Sequence, residues 1–123
     1  MRLEWIDGLF SICRMPDASD VRFSDEFCFF ARTDGECSVV CRPQSVPGNR
    51  TAAEHGWRAF RVQGALDLSL VGILSGISGA LAEAGVGLFA VSTYDTDYVL
   101  VKAENAARAE EALRAREYVF SKG

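Results

Sequence analysis

The chain has 123 residues, room for one ordinary domain or two very small ones, which excludes a large multidomain enzyme. Hydrophobic residues make up 49% and charged residues 24%, the balance of a folded globular chain rather than a disordered one. The formal net charge is -4 and Lys and Arg are nowhere clustered, so the electrostatic footprint of a nucleic-acid binder is missing and no nucleic-acid partner is expected.

The first fifteen residues, MRLEWIDGLFSICRM, carry neither a long apolar run after Arg2 nor a small-residue cleavage pattern. They do not read as a signal peptide, and the cytoplasm is the expected location. Residues 9–14 and 27–33 are apolar runs that predict strands. Asp34-Gly35 is a two-residue hairpin signal leading into a strand at 37–42, after which Pro43 and Pro47-Gly48-Asn49 prevent a long helix. All four cysteines, Cys13, Cys28, Cys37 and Cys41, fall in this first third. Without a CxxC pair, and with Cys37 and Cys41 about 13 Å apart along one strand face by the strand rise, they read as small buried apolar side chains rather than as zinc ligands or disulfides. No metal or other cofactor is expected.

The second half is more regular. Trp57-Arg58-Ala59-Phe60-Arg61-Val62 alternates apolar and basic residues, the period of a half-buried strand. Asp67 and Ser69 are candidate N-caps for a helix whose apolar face is Leu70, Ile73, Leu74, Ile77 and Leu81, and Gly85 is its expected C-terminal stop. Residues 68–91 are apolar apart from Glu83 and approach membrane-spanning length, but Ala84-Gly85-Val86-Gly87 divides them into a helix and a strand too short to span, so no membrane partner is expected. Strands are predicted at 86–94 and 98–102, a second helix at 104–116 with Glu104–Arg108 and Glu110–Arg114 pairs, and a last short strand at 118–120.

From 57 to 120 the order is thus β-α-β-β-α-β, the split βαβ or ferredoxin-like arrangement of an α+β domain. Laying Asp34-Gly35-Glu36-Cys37 over Asp95-Thr96-Asp97-Tyr98 suggests an internal duplication. The division expected is a degenerate, helix-poor N-terminal copy at 1–56 and a complete copy at 57–123. In such an order the N-terminus of the first helix and the first hairpin share one end of the sheet. That brings Asp67, Ser69 and Leu70 beside Thr93, Tyr94, Asp95 and Asp97. Helix N–H groups and a positive dipole end suit a carboxylate, and a turn carboxylate with Thr93 suits an ammonium, so an α-amino acid fits the combination. Read from the residues alone, the turn can equally be structural, with Tyr94 and Tyr98 as a cross-strand pair, and a metal on Asp95 and Asp97 lacks further ligands.

The stretches EHGWRAFRVQGALDLSLVGIL (54–74), FAVSTYDTDYVLVK (89–102) and ARTDGECSVVCRPQSVP (31–47) resemble small stand-alone bacterial ACT-domain proteins and, more distantly, the ACT-containing cytosolic arginine sensors of animals. The resemblance implies a duplicated ACT fold, a regulatory protein that binds an amino acid or similar small effector, and a homodimer. It also implies ligand contacts from Thr93, Tyr94 and Asp97, which match a Thr-aromatic-x-x-Asp run, and from the segment 66–70, including Asp67, Ser69 and Leu70. No attached enzyme is expected, and the regulated partner is expected to be a separate protein. Gly72, Gly76 and Gly79 form a small-residue stripe on the first helix, read as a surface for a partner subunit. Catalysis is not expected: His55 is the sole histidine, no spacing gives it a Ser or Cys partner, and no phosphate loop or nucleophile elbow is present. The competing reading is an ACT-fold dimerisation or protein-interaction module that binds no ligand.

Overall fold

The computed structural model describes residues 1–63 and 72–121. Its elements in chain order are β1 (Arg2–Met15), β2 (Phe29–Arg32), β3 (Cys37–Cys41), β4 (Ala52–Val62), α1 (Ile73–Glu83), β5 (Phe89–Ser92), β6 (Asp97–Lys102), α2 (Ala106–Arg114) and β7 (Val119–Ser121), with short 3-10 turns at Pro43–Ser45 and Ala103–Asn105. The chain forms two compact units, a larger one of Met1–Gly8 with Arg58–Gly123 and a smaller one of Leu9–Trp57. The expected division at 56/57 therefore misplaces the first eight residues. Apolar Leu3 and Ile6 belong to a strand that starts at Arg2, not at residue 9, and Leu3 lies fully buried in the core of the larger unit.

In the larger unit β4, β6 and β5 are successive neighbours, and the start of β1 pairs with both β4 and β7. The β7 pairing is parallel, with Arg2 opposite Val119 and Glu4 opposite Ser121. The C-terminal strand thus lies on the N-terminal one rather than on β4, so residues 57–120 do not complete the sheet by themselves. The alternation seen in sequence places Phe60 and Val62 on one face, where they meet Val99 and Val101 of β6, Ile77 and Leu81 of α1, and Ala109 and Leu113 of α2. Trp5 closes this core edge-to-face on Phe60 and stacked on Phe120, with ring centroids 5.2 and 5.5 Å away. Its indole N–H donates to Glu110 Oε1 at 2.6 Å.

Helix α1 has Gly72 as its N-cap, in the left-handed region at φ 84°, with no side chain among the described residues capping it. The expected caps, Asp67 and Ser69, lie outside the described residues. At the other end Gly85 takes φ 73° just past the helix, and Val86 N–H turns back to Leu81 O at 2.9 Å, the stop anticipated for that glycine. Of the two ion pairs expected on the second helix, Arg114–Glu110 forms at 2.9 Å. Arg108 instead donates to Asn105 Oδ1 and Gly85 O, because Glu104 lies in a 3-10 turn and the i,i+4 geometry does not reach back to it.

In the smaller unit β3 lies between β2 and the later part of β1, and the unit runs on to Trp57, within β4. Cys13, Met15, Cys37, Val39 and Cys41 form its buried core, with Cys28 packed against it, so the cysteines fill a core position as read from the sequence. Cys13 and Cys41 share a side-chain hydrogen bond, and burial first, then Cys13, pushes the Cys41 thiol up to about 12. On the other face Arg42 stacks 4.3 Å over Phe10 and 5.0 Å over Phe27.

Candidate functional site

The feature that organises the larger unit's strand ends is the turn between β5 and β6. Ser92 is paired with Asp97, leaving Thr93-Tyr94-Asp95-Thr96 as the turn. Thr93 N–H donates to Thr96 O at 2.8 Å, the Thr93 hydroxyl donates to the same carbonyl at 3.0 Å, and Thr96 N–H points back to the Thr93 hydroxyl at 3.4 Å. Neither Tyr94 nor Asp95 has a positive φ. A threonine at the first position, whose hydroxyl takes the place of a backbone acceptor, is what lets a Tyr-Asp pair turn the chain without glycine.

The smaller unit repeats this device. Arg32 is paired with Cys37, Thr33 N–H donates to Glu36 O at 2.8 Å, and the Thr33 hydroxyl accepts from Gly35 N–H and Glu36 N–H, both at 3.1 Å. The two hairpins therefore superpose with Thr33 on Thr93, Phe29 on Phe89 and Val39 on Val99, an offset of 60. The sequence alignment of Asp34 with Asp95 is one residue out of step. It followed the Asp-Gly signal, whereas the threonine sets the turn, and a one-residue slip would put every side chain on the wrong face.

Thr96 ties the turn to the neighbouring strand. It is 9% exposed, and its hydroxyl donates to Val62 O at 2.8 Å, where β4 ends and the chain proceeds into residues 64–71. This deduction from element order, that the hairpin sits at the strand end leading to the first helix, thus has a buried bond behind it.

Of the six residues expected to contact a ligand, three fall in this turn and its strand. Thr93 is engaged in the turn, Tyr94 stands at its tip and is 87% exposed, and the half-buried Asp97 accepts from the Ser92 hydroxyl at 2.6 Å. Asp67, Ser69 and Leu70 lie outside the described residues. The alternative cross-strand pair of Tyr94 with Tyr98 does not form: Tyr98 faces Val91, and its hydroxyl accepts from Arg61 at 3.4 Å.

On the sheet face away from the helices, a cavity of about 380 Å³ is lined by Glu4, Arg61, Gln63, Asp95, Thr96 and Tyr98. Arg61 is held there by Tyr98 and by a 3.0 Å ion pair with Glu4, both of which favour its charged form. Sequence reading missed this group because Glu4 comes from a strand 57 residues away from Arg61.

It also missed Ser11, whose hydroxyl lies 2.8 Å from His55 Nδ1. Ser11 is fully buried, so the contact satisfies a buried hydroxyl and offers no exposed nucleophile. Among the described residues, no group of three His, Cys, Asp or Glu side chains is arranged to hold a metal ion, and no helix is long and apolar enough to cross a membrane. Of the glycines expected to form a stripe on α1, Gly76 is covered from within the chain, since a Cβ there would meet the Tyr118 hydroxyl at 2.8 Å, whereas Gly72 and Gly79 have nothing nearer than 3.9 Å.

These features define a small α+β protein, rich in sheet and with two described helices, whose polar groups gather on a threonine-closed turn. A family model described as the ACT domain matches residues 52–115, and the chain belongs to the ACT-domain family. No curated protein matches it. Among solved structures it is similar to a protein from Agobacterium tumefaciens, at 27% identity and a TM-score of 0.85 over 99% of this chain and 92% of the other. It is also similar to a Vibrio cholerae protein of unknown function described as a possible transport protein, at 21% identity and a TM-score of 0.70 over 90% and 85%. The ligand-free regulatory subunit of aspartate kinase from Thermus thermophilus shares the fold at 10% identity, with a TM-score of 0.65 over 92% and 95%.

Proposed function

We propose that this is a non-catalytic regulatory protein that senses an amino acid or a similar small effector. The observation that carries the reading is the Thr96–Val62 hydrogen bond, which fixes the 93–97 turn beside the strand end that leads through 64–71 to α1. In this reading Asp97 receives the effector's ammonium with the carboxylate oxygen not taken by Ser92, Thr93 and Tyr94 border it, and Asp67, Ser69 and Leu70 approach from the other side. The N–H groups at the start of α1, which no side chain among the described residues caps, suit the carboxylate.

The regulatory role is supported by family membership and by the fold shared with a kinase regulatory subunit. Matched hairpins at an offset of 60 support a duplicated, ferredoxin-like origin in which the smaller unit is the copy that lost its helices. We place the protein in the cytoplasm as a homodimer acting on a separate target protein. Thermal unfolding against the twenty amino acids tests the reading. A ligand at 100 times its dissociation constant adds roughly 2.7 kcal/mol and should raise the midpoint by about 5 to 10 °C. No shift with any of them would favour a ligand-free dimerisation module.

A further inference from the structure

The smaller unit has a cavity of its own, about 420 Å³, beneath the 33–36 turn. Its floor is apolar, made by Met15 and Cys37, which are 3% and 6% exposed. Four charged side chains stand around it: Arg14, Arg32, Asp34 and Glu36. None forms an ion pair with another. Arg14 bonds through Nε to the Thr51 hydroxyl at 3.4 Å, and Arg32 stacks 5.6 Å from the Phe30 ring, so the outer guanidinium nitrogens of both have no hydrogen-bond partner among the described residues. The carboxylates of Asp34 and Glu36 likewise have none there.

In the larger unit's cavity the arginine is already bonded by Glu4 and Tyr98, whereas Arg32 has the through-space attraction of Asp17 but no hydrogen-bonded partner among the described residues. Where the two hairpins superpose, Arg32 and Cys37 stand in the places of Ser92 and Asp97. The cross-strand pair before the turn thus carries a guanidinium on its first strand in the smaller unit and a carboxylate on its second strand in the larger.

We infer that the cavity under the 33–36 turn is a second small-ligand site, and that it takes a zwitterion carrying one carboxylate and one ammonium. Two guanidiniums with free donors bind a carboxylate in forked geometry. A plain dianion would meet the same guanidiniums but also the two carboxylates of the turn, whose repulsion it cannot relieve. A zwitterion satisfies both pairs and rests its side chain on Met15 and Cys37. The site is independent of Asp97 and stands or falls separately from the effector reading above.

The test is isothermal titration of the full chain carrying Asp97→Ala, which silences the effector site proposed for the larger unit, with each of the twenty amino acids, succinate and inorganic phosphate. At least one amino acid is expected to bind in that background, with affinity lowered about tenfold or more by adding Arg32→Gln, Arg14→Gln or the double change Asp34→Asn with Glu36→Gln. These positions are exposed, so the variants should unfold at the parent temperature, and the two arginine variants check each other. Binding of succinate or phosphate without any amino acid would overturn the zwitterion assignment. Amino-acid binding that survives both arginine changes, or no binding at all, would overturn the site.

Discussion

The Tyr118 hydroxyl occupies the space that a side chain at Gly76 would need, 2.8 Å from an ideal Cβ built there. Gly76 lies in the second turn of α1 and Tyr118 just before β7, so the contact fastens the first helix to the C-terminal segment. Exposed or loosely covered, a helical glycine replaced by alanine gains about 1 kcal/mol from propensity. Here the added methyl must push the phenol aside, and overpacking of this kind costs about 1 to 3 kcal/mol. Gly76→Ala is therefore expected to destabilise the protein by about 1 kcal/mol, and to become stabilising by a similar amount in a Tyr118→Phe background. Denaturant unfolding of the four proteins in the cycle measures this coupling. Equal effects in both backgrounds would show that the hydroxyl does not meet the helix.

A second prediction concerns acid pH. Hydrogen bonds from Arg114 and then from the Trp5 indole hold the Glu110 carboxyl below the usual glutamate range, opposed in part by burial. Because the folded value is the lower one, this contribution to stability is complete above the ordinary glutamate value and is lost as the pH falls through the depressed folded value. Trp5 fluorescence should change in that window, below about 4.3. Glu110→Gln keeps an acceptor for the indole but does not titrate, so the fluorescence step should vanish. A step that persists in that variant would assign it to another carboxyl.

The cysteines give a third. Thiolate is the reactive species, and burial raises Cys13, Cys28 and Cys41, the last to about 12. Cys28 is half-buried, whereas Cys13, Cys37 and Cys41 are buried. In the native protein a thiol reagent at neutral pH should label Cys28 first and the others at the rate of unfolding, with all four reacting in denaturant. Replacing the four with Ala should release no stoichiometric metal. About one zinc per chain in the native protein would refute the reading of these residues as core.

Much of the local structure was legible because apolar spacing reports burial directly. The alternation at 57–62 follows from it, and the Gly85 stop follows from the freedom of glycine at positive φ. What the sequence hid depends on which distant segments meet. No local pattern shows that Arg2 pairs with Val119, or that Ser11 meets His55 across 44 positions. The hairpin was found, but its alignment slipped because Asp-Gly is the stronger statistical turn signal, while the bonds are made by Thr33 and Thr93. The glycine stripe read as a partner surface for a related reason: spacing reveals a place of close approach, but not whether the approaching group is another subunit or Tyr118.

The last prediction separates the turn's structural role from its recognition role. Thr96 and Asp97 are adjacent, but one points its hydroxyl at Val62 O inside the protein and the other holds a half-buried carboxylate bonded to Ser92. Thr96→Val keeps the volume and leaves a buried carbonyl unpaired, which should cost about 1 to 3 kcal/mol. Asp97→Ala removes a carboxylate whose bond to Ser92 is exposed, and should change stability by less than about 1 kcal/mol. If the turn reads an ammonium, Asp97→Ala should abolish the thermal shift that the effector produces in an Arg32→Gln background, where the smaller unit's site is silent, while the unliganded midpoint hardly moves. Thr96→Val should lower the unliganded midpoint and keep most of the shift, since the charge that attracts the ligand is still there. The reverse pattern, with the shift intact in a folded Asp97→Ala protein, would show that Asp97 serves only to close the hairpin and would move the effector away from this turn.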